Sequence, residues 1–105
     1  KPKSVSVLGD TVKVSTWRDV LIAVCESIYK RKPEVIMNLP KDKRMNSTRR
    51  ATFAYEKNGI KVAPVQLLCG IWVEVNQSAS SSLRISQRLL KICGYDPRQL
   101  KIETQ

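Results

Sequence analysis

Polar and apolar positions alternate at the start of the chain. Ser4-Val5-Ser6-Val7-Leu8 and Val12-Lys13-Val14 flank Gly9-Asp10, the pattern of a β-hairpin with Val5, Val7, Val12 and Val14 on one buried face. The period then lengthens. Val20, Leu21, Val24, Cys25, Ile28 and Tyr29 recur at helical spacing behind Thr16, and Asp19 sits where a capping box requires an acid. Trp17 belongs to the first turn and faces the same core. Lys30-Arg31-Lys32 fall in or just past the last turn, and Pro33 ends the helix.

The pattern is weaker from residue 34 onward. Val35, Ile36, Met37 and Leu39 fit either a short helical turn or a strand capping the core. From Pro40 to Arg50 only Met45 is apolar, which predicts a surface loop free to order on a partner. Ala51–Tyr55 alternates again, Asn58-Gly59 is a strong hairpin dipeptide, and Ile60–Ala63 returns as a strand, with Pro64 either weakening its end or placing it on an edge. Gly70–Val75 reads as a central strand with Ile71, Val73 and Val75 on one face and Trp72 and Glu74 on the other. A second helix follows, capped by Ser78 or Ser80, apolar at Leu83, Leu89, Leu90, Ile92 and Cys93, and closed by Gly94. Tyr95-Asp96-Pro97 turns the chain into a last strand at Leu100–Ile102. The expected fold is a single α+β domain over residues 1–105, in the order ββα, basic loop, βββ, α, β, with two helices packed on an antiparallel sheet.

Charge changes the picture more than composition does. The 105 residues carry a net charge of +10, and all of it lies in two stretches. Lys30, Arg31, Lys32, Lys41, Lys43, Arg44, Arg49 and Arg50 face only Glu34 and Asp42. Arg84, Arg88, Lys91, Arg98 and Lys101 face only Asp96, and elsewhere acids and bases balance. Such concentration suits a polyanion, whereas solubility alone needs only an even spread. On the second helix Arg84, Arg88 and Lys91 share one face with Gln87, and no acid occurs from Ala79 to Tyr95. That ridge can follow phosphates, and its Arg and Gln side chains can reach base edges. Lys41, Lys43, Arg44, Arg49 and Arg50 have the composition of a phosphate-gripping arm. Phe53 and Tyr55 beside the paired arginines are either core residues or a stacking surface for an unpaired base.

Catalytic signals are few. The chain has no histidine, and its four glycines are isolated, so the commonest general base and a phosphate-cradling loop are both missing. Cys25, Cys69 and Cys93 are too far apart for a zinc pattern. Each sits among apolar neighbours, as reduced core cysteines of a cytoplasmic protein do. Glu56-Lys57 and Glu74 show no spacing that would gather a carboxylate cluster. No metal and no cofactor is expected. No run is long and apolar enough to cross a bilayer. The chain begins at Lys1 without methionine, which reads as a segment of a longer protein.

Three stretches carry a family resemblance. Trp17-Arg18-Asp19-Val20-Leu21-Ile22-Ala23-Val24-Cys25-Glu26 resembles the first helix of an accessory module found at the C-terminal ends of bacterial proteins, restriction- and defence-associated ones among them. Lys43-Arg44 through Arg50 and Phe53 loosely match its basic middle. Trp72-Val73-Glu74-Val75-Asn76-Gln77-Ser78-Ala79, Leu89-Leu90, Gly94-Tyr95-Asp96 and Leu100-Lys101-Ile102-Glu103 match its strand-to-helix junction and its ending. The Lys41–Arg50 loop and the Ser80–Ser82 run depart from the pattern. The resemblance implies an appended, non-catalytic domain in a prokaryotic setting. Charge implies a nucleic-acid partner, DNA before RNA, and the alternative is docking onto a larger enzyme.

Overall fold

A computed structural model describes residues 1–105. In chain order it contains β1 (Pro2–Val7), β2 (Asp10–Lys13), α1 (Trp17–Arg31), α2 (Pro33–Asn38), β3 (Phe53–Ala54), β4 (Pro64–Gln66), β5 (Trp72–Glu74), α3 (Ala79–Ile92) and β6 (Lys101–Thr104), with 3-10 turns at Leu39–Lys41, Lys57–Gly59 and Pro97–Gln99. The α+β class is as expected. The expected layout, two helices on one sheet, is corrected: there are three helices and two antiparallel three-stranded sheets, β2-β1-β6 and β3-β5-β4.

The first hairpin forms because Leu8 (φ 52°) and Gly9 (φ 86°) both take positive φ, the two-residue turn whose twist matches the strands. The turn is one residue earlier than the Gly9-Asp10 pair, and Asp10 instead opens β2 opposite Val7. Its carboxylate accepts from Ser27 Oγ (2.6 Å), Arg31 Nη1 (2.9 Å) and Lys30 Nζ (3.0 Å). Those three contacts hold the Asp10 carboxyl well below the ordinary carboxylate range, the Ser27 bond contributing most. Arg31 Nη2 also donates to Leu8 O, which secures a residue in a conformation unusual for leucine. Lys30 and Arg31 are therefore partners of the hairpin. Val12 lies opposite Val5 on the same sheet face, yet it is 41% exposed where Val5 is fully buried. Helix α1 packs over β1 and leaves β2 overhanging.

Helix α1 starts as its sequence dictates. Thr16 Oγ1 accepts from the Asp19 N–H at 3.3 Å, and Asp19 Oδ2 accepts from the Thr16 N–H at 3.2 Å. Pro33 both ends α1 and opens α2, where its missing N–H costs nothing. Residues 33–38 thus take the helical alternative. Helix α3 is capped by Ser78, whose Oγ accepts from the Ser81 N–H at 3.1 Å. It closes on Gly94 (φ 83°) with the paired Gly94 N–H to Lys91 O and Tyr95 N–H to Leu90 O bonds of a Schellman ending.

The Asn58-Gly59 hairpin does not form. Lys57–Gly59 is a 3-10 turn, Ile60 is buried without entering a strand, and β3 and β4 each pair with β5 instead of with each other. Gly59 is needed for space, since a Cβ there would sit 2.8 Å from Ala54 Cβ. Strand β5 is central as expected, but the expected strand at Ile60–Ala63 is corrected: the edge strand β4 begins at Pro64, the residue expected to end it.

Most of the core is one cluster. Leu21, Val24 and Ile28 of α1, Ile36 of α2, Phe53, Ile71 and Val73 around β3 and β5, and Leu89 and Leu90 of α3 meet in it. A smaller cluster of Val5, Val20 and Ala23 lies beneath the first sheet, closed by Trp17, Leu100 and Ile102. The three cysteines are free, Cys25 and Cys93 buried and Cys69 half-buried. Burial pushes the Cys25 and Cys93 thiols up. No helix is long and apolar enough to cross a membrane.

Candidate nucleic-acid interface

Helix α3 buries Ser82, Ile85, Ser86, Leu89 and Leu90 and turns Arg84, Gln87, Arg88 and Lys91 outward. Two of the buried positions are serines. They lie on the buried side of a helix that packs against α1. Ser86 Oγ satisfies itself on Ser82 O at 2.7 Å.

The segment after the Leu39–Lys41 turn is not the free arm its composition suggests. Met45 is buried. Asn46 Nδ2 donates to Leu39 O and Asp42 O, both at 2.8 Å, and Asn46 Oδ1 accepts from the Thr52 and Phe53 N–H groups at 3.0 and 2.9 Å. Ser47 and Arg50 close a local turn through two further bonds. Asn46 thereby stitches both ends of the loop together. The only sequence signal was a turn-forming side chain next to a lone apolar residue.

The two basic stretches meet along this segment. Arg44, Arg84, Gln87, Arg88 and Lys91, with Ile92, line a cleft of about 440 Å³. Arg88 Nη1 donates across it to Arg44 O at 3.3 Å. A second cleft of about 200 Å³ shares Arg84 and Arg88 and continues toward Ser47, Arg50, Thr52, Glu74 and Gln77. Together they form one furrow along α3. Arg84, Arg88 and Lys91 have no carboxylate within salt-bridge distance; none of the six ion pairs of the molecule involves them. No family model, curated protein or solved structure matches the chain.

Other expected site residues have different roles. Arg50 binds Glu74, with Nε at 2.7 and 2.9 Å from the two carboxylate oxygens and Nη2 at 2.7 Å from Oε1. The Glu74 side chain is only 1% exposed, and Gln77 Nε2 adds a bond at 2.9 Å. Glu74 therefore does not project outward with Trp72: a buried carboxylate needs its cation, and Arg50 supplies it. Arg44 forks onto Asp42, Nε to Oδ1 at 3.0 Å and Nη2 to Oδ2 at 2.7 Å. This fork lowers the Asp42 carboxyl and raises the Arg44 guanidinium. Lys41 lies over the Tyr55 ring at 5.9 Å. Lys43 and Arg49 are exposed and line neither cleft. Phe53 is core, and Tyr55 donates its hydroxyl to Met37 O at 2.9 Å. Lys32 caps the end of α3, its Nζ 2.7 Å from Cys93 O and 5.1 Å from the Tyr95 ring.

The furrow is thus concave, cationic and hydrogen-bond-rich. Guanidinium and ammonium groups at this density suit phosphate oxygens. No group of three or more His, Cys, Asp or Glu side chains is placed to hold a metal ion.

Proposed function

We propose that this chain is a non-catalytic nucleic-acid-binding module, DNA favoured, that grips phosphate backbone in the furrow between α3 and the Asp42–Thr52 segment. In this reading it serves a larger bacterial protein in the cytoplasm. One observation carries the proposal: Arg84, Arg88 and Lys91 line one cleft beside the Asp42–Arg44 ion pair and themselves lack carboxylate partners. Surface cations usually mix with acids, and an uncompensated row lowers stability by self-repulsion unless a polyanion relieves it.

The test is fluorescence anisotropy on labelled DNA and RNA, each single- and double-stranded, titrated with salt. Affinity should fall steeply as salt rises, because each neutralised phosphate releases counterions. Replacing Arg84, Arg88 and Lys91 together by alanine should weaken binding at least about tenfold at low salt, with the thermal midpoint of the free chain retained or raised as self-repulsion is relieved. No binding of any of the four forms at low salt would sink the proposal.

A docking module is the second reading. Leu68 is 92% exposed at the β4–β5 turn, and β2 overhangs an open groove lined by Val12, Val14 and Ile22. Salt-resistant association with a larger protein would favour it.

A further inference from the structure

The furrow's length, its lining and the state of Arg44 define what it holds. From Arg84 to Lys91 the helix rises about 10 Å, at 1.5 Å per residue. That span is long enough for its side chains to reach successive phosphates of one strand, and the number neutralised is bounded by the number of free cations. Three cations on the ridge, Arg84, Arg88 and Lys91, are free of carboxylates. Arg44, the fourth cation in the same cleft, is held by both oxygens of Asp42. No aromatic ring lines either cleft, so the furrow offers bases nothing to stack on.

Resting on the function proposed above, we infer that the furrow holds the backbone of one strand of a duplex through three working cations, Arg84, Arg88 and Lys91. In this arrangement Asp42 keeps Arg44 out of contact with phosphate, and base identity goes unread. Asp42 therefore sets the strength of the site. It is the one carboxylate paired with a cation that lines the first cleft; Glu74 is buried and engages Arg50.

The experiment is the salt dependence of binding to a short DNA duplex, for the unaltered chain and for Asp42→Asn. Three neutralised phosphates predict a log–log slope of about −2.7. Asparagine keeps an oxygen for the Arg44 N–H, which Asp42 now accepts at 2.8 Å, but it removes the charge. Asp42→Asn should bind about threefold to tenfold tighter at low salt and steepen the slope by about 0.9. Asp42→Asn/Arg44→Ala should return to the original slope. Arg44→Gln alone should leave the slope unchanged, a readout that does not depend on Asp42→Asn folding. Duplexes of different sequence should bind within about twofold of one another, since phosphate contacts carry no sequence information.

If the unaltered chain binds no nucleic acid, the function proposed above fails first. If it binds and Asp42→Asn changes neither affinity nor slope, or Arg44→Gln lowers the slope by about one phosphate, the role of Asp42 is overturned. A single strand bound more tightly than duplex, with strong base preference, would overturn the backbone-only track.

Discussion

Two acidic residues show how one charge can be worth more than many. Glu74 sits almost fully buried and depends on Arg50 and Gln77. Removing Arg50 strands that carboxylate, so Arg50→Ala should cost about 2–4 kcal/mol, measured by urea unfolding. Glu74→Gln, which removes the buried charge and keeps polar atoms, should cost less. Asp10 gives the pH dependence. Its folded pKa lies below its unfolded value because Ser27, Arg31 and Lys30 stabilise the carboxylate. The stabilisation is present above the unfolded value of about 3.9 and is lost as pH falls below it toward the folded value. Asp10→Asn should flatten the acid limb of a stability–pH curve, and an unchanged limb would assign acid sensitivity to other groups. At this scale the sequence was a poor guide. Arg50 and Arg44 look identical to Arg84 and Arg88 as letters, and only their partners distinguish them.

At the scale of elements, local chemistry was legible where it is self-contained. The capping box of α1 and the Gly94 ending of α3 each involve atoms within a few residues. Ser78 is the most consequential of these, because it fixes the start of the helix that carries the ridge. Ser78→Ala should cost about 1 kcal/mol by the usual cost of a lost N-cap, checked by urea unfolding. A loss below about 0.3 kcal/mol would mean that Ser80, whose Oγ lies 3.2 Å from Ser78 Oγ, takes over the cap. Asn58-Gly59 failed as a hairpin signal because its flanking strands found better partners. Phe53 and Val65 both pair with Val73, so β5 displaces the local pairing with one that buries more. The 33–38 segment was ambiguous for the opposite reason: it is too short for its period to decide, and Pro33 at the first helical position settles it.

For the whole molecule, the first and last strands lie side by side, Val5 opposite Ile102. That strand closes the smaller cluster over Val5 and Val20. A chain ending at Leu100 should therefore unfold at lower urea, while the larger cluster, to which Ile102 does not belong, keeps the transition cooperative. A truncated chain with an unchanged midpoint would show that β6 adds nothing to the closure. The same closure brings sequence-distant charges together. The sequence by itself determined the α+β class, the two long helices with their caps, and the phased ridge on α3, because each rests on period or on contacts a few residues apart. Only the tertiary structure decided that the loop lies beside that ridge, that Asp42 and Glu74 each claim an arginine, and that Arg84, Arg88 and Lys91 stay unpaired. Those outcomes depend on which side chains packing brings within about 4 Å of each other, and Coulomb energy at that range is invisible in the order of residues.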